Sequence, residues 1–292
     1  MPDGDFLDLD FLDPPRPGAP TLLALHGLEG SSDSHYVRGV AAEAAALGWR
    51  AIALNFRSCS GEPNRRPRLY HNGETGDLDF VAGRMAERLD GPLLLAGFSL
   101  GGNVLLKWLG ERGEEILGAV RGAAAVSASF SPADSAVRLD SLRGAPFRWN
   151  LLSTLRQKLR DIARQNPDLL DPERVRRIRT FAELDRWSTA PLHGFADVRD
   201  YYARANSLGD LPKIHVPTLL LNARDDPVVP ARIFPHEAIA KSPWLEGELL
   251  PRGGHVGFVA GRAPGAEIYW AEKRVVAFLA ERLAAGDGRG GA

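Results

Sequence analysis

Two kinds of hydrophobic run alternate along most of this chain. Short, nearly unbroken apolar stretches fall at 21–25, 51–54, 93–96, 120–128, 216–221 and 248–250. Each reads as a strand buried on both faces, because neither neighbour of an inward residue is polar. Between them, apolar residues recur at helical spacing over 40–47, closed by Gly48, over 76–89, and through Leu105, Leu106 and Leu109. A last helical stretch covers 268–283. Residues 5–12 follow another pattern, with Phe6, Leu7, Leu9, Phe11 and Leu12 set among aspartates. That suits an edge strand whose charges deter pairing with another chain. Pro14, Pro15, Pro17 and Pro20 then break regular structure. Strands alternating with helices predict an α/β protein built on a mostly parallel sheet.

Two stretches depart from the alternation. Residues 55–77 are polar and irregular, longer than an ordinary connection, and carry Phe56, Cys59 and Tyr70, so they do not read as a linker. From 129 to about 210 the pattern is helical only, with helices predicted over 142–164, 172–184 and 198–205. This predicts one domain over 1–292 with a helical cap inserted at about 129–210. Leu151, Leu152, Leu155 and Trp149 would present its apolar face to the site below. Residues 286–292 are expected to form a disordered tail.

Composition narrows the classes. With 292 residues, 44% of them hydrophobic, the chain can bury one large core. A net charge of −1 gives no overall pull towards nucleic acid or an anionic membrane, although peripheral membrane contact stays open. Between Arg138 and Arg186, twelve Lys and Arg face seven Asp and Glu, a local excess of +5. That segment is either a solvated helix surface or one that attracts anionic substrates or headgroups. The single cysteine, Cys59, excludes an internal disulfide and cysteine-cluster metal sites, and fits a reducing compartment. As a nucleophile it has no base placed beside it, so a buried or half-buried thiol is expected. No apolar run reaches 18 residues, and the acidic N-terminus lacks the basic region of a signal peptide, so a cytoplasmic location is expected. The seven histidines show no H-x-x-x-H or H-E-x-x-H spacing, so neither a metal site nor a cofactor is expected. Nothing in the pattern fixes an oligomeric state.

The chemistry gathers at strand ends. The strand at 93–96 runs into Gly97-Phe98-Ser99-Leu100-Gly101-Gly102-Asn103, a G-x-S-x-G turn that opens a helix. There Ser99 would sit at a sharp tip, as a nucleophile, with glycines where side chains would collide. A second glycine-rich turn, His26-Gly27-Leu28-Glu29-Gly30-Ser31-Ser32, follows the strand at 21–25. The backbone amides of Leu28 and Leu100 are the candidate donors to an oxyanion. A serine hydroxyl needs a base, and the base needs an acid to orient it. His255, after Pro251-Arg252-Gly253-Gly254, and Asp226, after the strand at 216–221, stand at strand ends in the order Ser99, Asp226, His255. Asp225 lies one position out of register for the acid and is expected to bond within its own turn. His26 would organise its turn, while His71, His193, His215 and His236 follow no strand end.

Taken together, His26-Gly27-Leu28-Glu29-Gly30-Ser31, Asn55-Phe56-Arg57-Ser58-Cys59-Ser60-Gly61-Glu62-Pro63-Asn64, Tyr70-His71-Asn72-Gly73-Glu74-Thr75, the Ser99 turn, Asp225-Asp226-Pro227 and Gly253-Gly254-His255-Val256-Gly257-Phe258 resemble the YheT-like α/β-hydrolases. That bacterial group is related to eukaryotic alpha/beta-hydrolase-domain phospholipases. The resemblance runs from about Asp8 to Leu283. It implies the α/β-hydrolase fold, a mostly parallel sheet of seven or eight strands with helices on both faces, and a Ser99–Asp226–His255 triad acting on small-molecule or lipid esters. The N-terminus is short of the family's usual first strand, which favours seven. Ser58 stands where the family has glycine, and Phe130 where proline is common. An acyltransferase or phospholipase would use the same triad. A non-catalytic binding protein on this fold commonly lacks a triad residue, and none is missing here.

Overall fold

The computed structural model describes residues 1–12, 17–261 and 268–287. Seven strands form one sheet: β1 (Asp8–Leu12), β2 (Thr21–Leu25), β3 (Arg50–Asn55), β4 (Leu93–Phe98), β5 (Val120–Val126), β6 (Thr218–Ala223) and β7 (Leu245–Leu250). Their order is β1-β3-β2-β4-β5-β6-β7, with β1 antiparallel to β3 and every other pair parallel. The predicted edge strand is therefore in place. Alternation within the apolar runs feeds two cores. Leu23, Leu25, Leu93 and Leu95 point to one face, and Leu22, Ala24, Leu94 and Ala96 to the other.

The second face packs on α1 (His35–Ala46) and on the C-terminal helix, through Val37, Val40, Val275 and Phe278. The first face packs on α2 (Thr75–Arg88) and α3 (Leu100–Arg112), through Leu78, Val81, Leu105 and Leu106. Between β5 and β6 the chain makes only helices: α4 (Pro132–Asp140), α5 (Ala145–Gln165), α6 (Pro172–Arg177), α7 (Phe181–Leu184), a π-helical turn at Asp185–Thr189, α8 (Ala190–Leu192) and α9 (Val198–Ala205). After β6 come α10 (His236–Lys241), β7, a hairpin of β8 (Val259–Ala260) with β9 (Ile268–Tyr269), and α11 (Trp270–Asp287).

Several expectations need correction. The helix predicted over 172–184 is two helices, because Thr180 starts a new one. Its hydroxyl accepts the Glu183 N–H, and the Glu183 carboxylate accepts the Thr180 N–H, while Asp140 takes the amides of Phe181 and Ala182. Strand β7 starts at Leu245 rather than 248, since its first residues include exposed Glu246 on a sheet edge and read as polar. Residues 268 and 269 pair as a strand before α11, which runs on to Asp287 through the start of the expected tail. Positions 288–292 of that tail, and Pro14 and Pro15, lie outside the described residues.

The strand order places the two glycine-rich turns. From β2 the chain steps outward to β3, then returns across β2 to β4, so the order reverses between β2 and β4. A crevice opens at the carboxyl ends of strands where the order reverses. β2 and β4 pair in register, Leu25 opposite Gly97, so the turns after them emerge side by side.

Candidate active site

Ser99 connects β4 to α3 with φ 53° and ψ −115°, a conformation that costs a non-glycine residue on the order of 1–3 kcal/mol. Packing on both sides enforces it. A Cβ at Gly97 would lie 2.5 Å from the Gly101 carbonyl oxygen, and one at Gly101 2.5 Å from that of His26. Either would push the turn off the sheet. The Ser99 N–H donates to the Val126 carbonyl at 2.9 Å, tying the tip to β5.

Three side chains from separate strand ends line up here. Ser99 Oγ lies 2.7 Å from His255 Nε2, and His255 Nδ1 lies 2.9 Å from Asp226 Oδ2. A carboxylate only accepts, so Nδ1 carries the hydrogen and Nε2 offers its lone pair to the serine hydroxyl. The Asp226 side chain is fully buried, and its Oδ1 accepts the amides of Val228 and Val229 at 2.7 and 2.9 Å. Pro227 has no N–H to add. Asp225 has a different place from the one expected: its Oδ1 accepts the amides of Gly253 and Gly254, both at 2.9 Å. It thus braces the loop that carries His255 instead of closing its own turn. The Ser127 hydroxyl donates to the His255 carbonyl from below.

The turn after β2 lies against the serine, since a Cβ on Gly27 would approach Ser99 Cβ to 3.1 Å. Leu28 is in this turn, and Leu100 is the first residue of α3, with no preceding helical turn to take its N–H. Neither amide donates to a protein acceptor among the described residues. His26 is buried and neutral, its pKa pushed down to about 4 by burial and, secondarily, by the Lys158 charge. Its Nδ1 donates to the Gly27 carbonyl at 2.6 Å, and its Nε2 accepts the Phe56 N–H at 3.0 Å.

The irregular stretch after β3 is fastened down rather than loose. Arg57 is buried, with a bidentate pair to Asp77 at 2.7 Å and bonds to Asp3 and Asp5 at 2.9 and 3.0 Å. Burial works against its charge, but Asp77, with Asp3 and Glu74, keeps the guanidinium protonated. Ser58, the departure from the family's glycine, holds φ 59°, which explains a glycine preference there. Its N–H and hydroxyl are both engaged by Asn64. Cys59 is half-buried, and burial pushes its thiol up, which disfavours the nucleophilic thiolate.

A cavity of about 370 Å³ opens above Ser99. The floor includes Ser99, His255, Leu28 and Leu100, and the roof includes Leu139, Leu151, Leu155 and Leu184 of the helices between β5 and β6. Of the four residues expected on that roof, Leu151 and Leu155 are there. Leu152 packs into the core, and Trp149 turns to solvent. Sequence reading missed the polar ties that join roof to floor. Asn103 Nδ2 donates to the carbonyls of Asn72 and Ala205, and Asn72 bonds to Ser129 and Tyr201. Lys158 Nζ meets Glu29 Oε1 at 2.8 Å.

His71, Glu74 and His193 also converge beside the cavity; His71 and Glu74 stand three positions apart, whereas His193 comes from far along the chain. Burial holds both imidazoles neutral, with pKa values pushed down to about 3 and about 2. The group is not arranged to hold a metal. His71 Nδ1 accepts the Gly73 N–H at 3.0 Å, so its proton sits on Nε2, which faces Glu74 Oε2 at 3.5 Å. Glu74 is neutralised by Arg68 at 2.5 Å.

Comparison with known proteins agrees with this architecture. YheT of Escherichia coli (strain K12), which carries a provisional esterase name, is 36% identical over 98% of this chain and 84% of its own length. Phospholipase ABHD3 of Mus musculus is 30% identical and the monoacylglycerol lipase of Saccharomyces cerevisiae 31%, each over 84% of this chain. The chain spans only 60% and 56% of those two proteins. Among solved structures, Est1E from Butyrivibrio proteoclasticus, with ferulic acid bound, superposes with a TM-score of 0.60 at 17% identity, covering 97% of both chains. An esterase of Pyrococcus furiosus gives 0.60 at 16% identity, covering 96% of this chain and 87% of that one, a likeness of fold alone. Residues 22–269 match the profile of the alpha/beta hydrolase family, and the chain belongs to that family, among its YheT-like members.

Proposed function

We propose that this protein is a serine esterase in which Ser99, His255 and Asp226 act as a triad and the Leu28 and Leu100 amides bind the oxyanion. The observation that carries the reading is the unbroken row from Ser99 Oγ to His255 to Asp226, at 2.7 and 2.9 Å, on the floor of a largely apolar cavity. Relatives named esterase, phospholipase and monoacylglycerol lipase support ester hydrolysis as the class.

In this mechanism His255 Nε2 removes the hydroxyl proton as Ser99 Oγ attacks the ester carbonyl carbon. Asp226 stays ionised and stabilises the imidazolium, while negative charge on the former carbonyl oxygen falls to the two amides. Collapse breaks the bond to the alcohol, which leaves with the proton from Nε2. Water then attacks the acyl-enzyme, giving its proton to His255, and the acid departs as Ser99 regains its hydrogen. The helices at 129–210 act as the cap of a single catalytic unit and set acyl choice. Short and medium acyl esters are expected to turn over better than long ones in solution. The lone cysteine supports a cytoplasmic setting.

The test is fluorophosphonate labelling together with turnover of p-nitrophenyl esters of graded acyl length. Ser99→Ala is expected to abolish labelling and lower kcat by roughly 10⁴- to 10⁶-fold with the fold intact. Labelling that persists in this variant would hand the nucleophile to another residue.

A further inference from the structure

The corner where α4 meets α5 exposes large apolar side chains that a globular surface normally covers. Leu142, in the connection, is 94% exposed, Trp149 77% and Val137 68%, and Phe147 is 40% exposed at the rim of the cavity. They are not scattered singly over the molecule. All four lie within thirteen residues of chain, folded back on itself where Arg148 reaches the carbonyls of Leu139 and Ser141. Arginines share this stretch of chain. Arg143 and Arg160 are exposed and make no ion pair among the described residues. Further along α5, Arg156 is partly buried with Arg160 and Arg179 as like-charged neighbours, while the Asp140 carboxylate at the corner is taken up by the Phe181 and Ala182 amides.

We propose that this corner is a docking surface for anionic lipid, with Leu142 and Trp149 entering the interface and the arginines meeting the headgroups. An aromatic and aliphatic tip with exposed arginine beside it and along α5 matches a lipid boundary, where apolar area and attraction to anionic headgroups add. A second copy of the chain fits less well, because a symmetric contact would set Arg143 and its neighbours against themselves. Docking here turns the cavity rim at Phe147 towards the membrane, so an ester drawn from the lipid would reach Ser99 without crossing bulk water. That consequence rests on the esterase reading, whereas the binding itself does not.

The experiment is co-sedimentation of the full chain with vesicles of phosphatidylcholine alone or with phosphatidylglycerol, at low and high salt, beside turnover of a short water-soluble ester. The wild type is expected to sediment with the anionic vesicles and to be released by salt. The pair Leu142→Asp and Trp149→Asp should lose binding while the soluble ester is hydrolysed as before. Arg143→Glu should weaken binding on the order of tenfold, since each charge near such a surface contributes comparably. No sedimentation by the wild type, or sedimentation that these variants retain, overturns the proposal. So does a concentration-dependent dimer that Leu142→Asp abolishes, which would assign the corner to a second copy. Loss of ester turnover in Ser99→Ala with binding intact separates the two readings.

Discussion

Two adjacent carboxylates divide one task between them. Asp226 faces His255 Nδ1 and is held by two backbone amides, whereas Asp225 faces away and binds the amides of Gly253 and Gly254. Asp226→Asn keeps the shape but turns a donor towards Nδ1, which favours the wrong tautomer, so kcat should fall about 10⁴-fold. Asp225→Asn retains an oxygen that accepts both amides and should cost far less. Asp225→Ala removes the brace and should fall between the two. Measuring kcat for the three variants checks the ranking, and Asp225→Asn below Asp226→Asn would reverse the roles. At this scale the strand-end chemistry was readable because local packing demands it: Gly97 and Gly101 are imposed by atoms within a few residues of Ser99 or in the neighbouring turn. Ser127, Asn72 and Asn103 were not readable. Their partners lie 31 to 129 positions away, and nothing local marks a serine or asparagine for them.

Among the elements, α11 carries the least expected residue. Glu272 is completely buried, neither carboxylate oxygen has a hydrogen-bond partner among the described residues, and α1 closes over it, so that a Cβ on Gly39 would lie 3.0 Å from Glu272 Cγ. Burial, with Glu43 adding repulsion, raises its pKa to about 7 from 4.5. The folded state therefore binds the proton more tightly than the unfolded chain. Stability is fully present below about pH 4.5 as far as this group is concerned, and falls as pH rises towards 7. Glu272→Gln mimics the protonated form. It should match wild type in acid and exceed it by up to about 3 kcal/mol above pH 7, in denaturant titrations at both pH values. Equal stability of the two proteins at pH 8 would mean that water or a cation reaches the carboxylate. In the sequence Glu272 sat unremarked between apolar helix positions, because helical spacing reveals which face is buried but not that a carboxyl shares it. The same limit hid the break at Ile178–Thr180, although Thr180-Phe181-Ala182-Glu183 spells a helix start for a reader who looks for caps.

On the scale of the whole molecule, one apolar core runs from the sheet into the helices above it, and a few polar struts join the two around the cavity. The mostly parallel sheet, the helical insertion and the chain order of the candidate triad were legible, since apolar runs and turn chemistry encode them. How the roof sits on the floor was not, since the struts join residues far apart in sequence. Charge is uneven at this scale too, with +5 over 138–186 in a chain of net −1. Turnover of anionic esters should fall with added salt while that of neutral esters stays level, and equal responses would leave the cap charge as plain solvation. The strut between Lys158 on α5 and Glu29 beside the candidate oxyanion turn offers a sharper test of how roof and floor are coupled. Glu29 has only 6% of its side chain exposed and holds φ 56°, while Lys158 is 25% exposed. Lys158→Met leaves the carboxylate with the Tyr70 hydroxyl alone, at 3.1 Å. Stability should drop by about 1–3 kcal/mol, less than for a fully buried pair because water reaches the lysine end. Glu29→Gln in that background removes the stranded charge and should recover part of the loss, so a double-mutant cycle gives a coupling of the same sign. Since Glu29 neighbours the Leu28 amide, kcat for a short neutral ester should fall with Lys158→Met and return in the double variant. Strict additivity of the two substitutions in both stability and kcat would mean that this strut only decorates the junction, and that the shared apolar core and the Asn72 and Asn103 bonds hold the roof over Ser99.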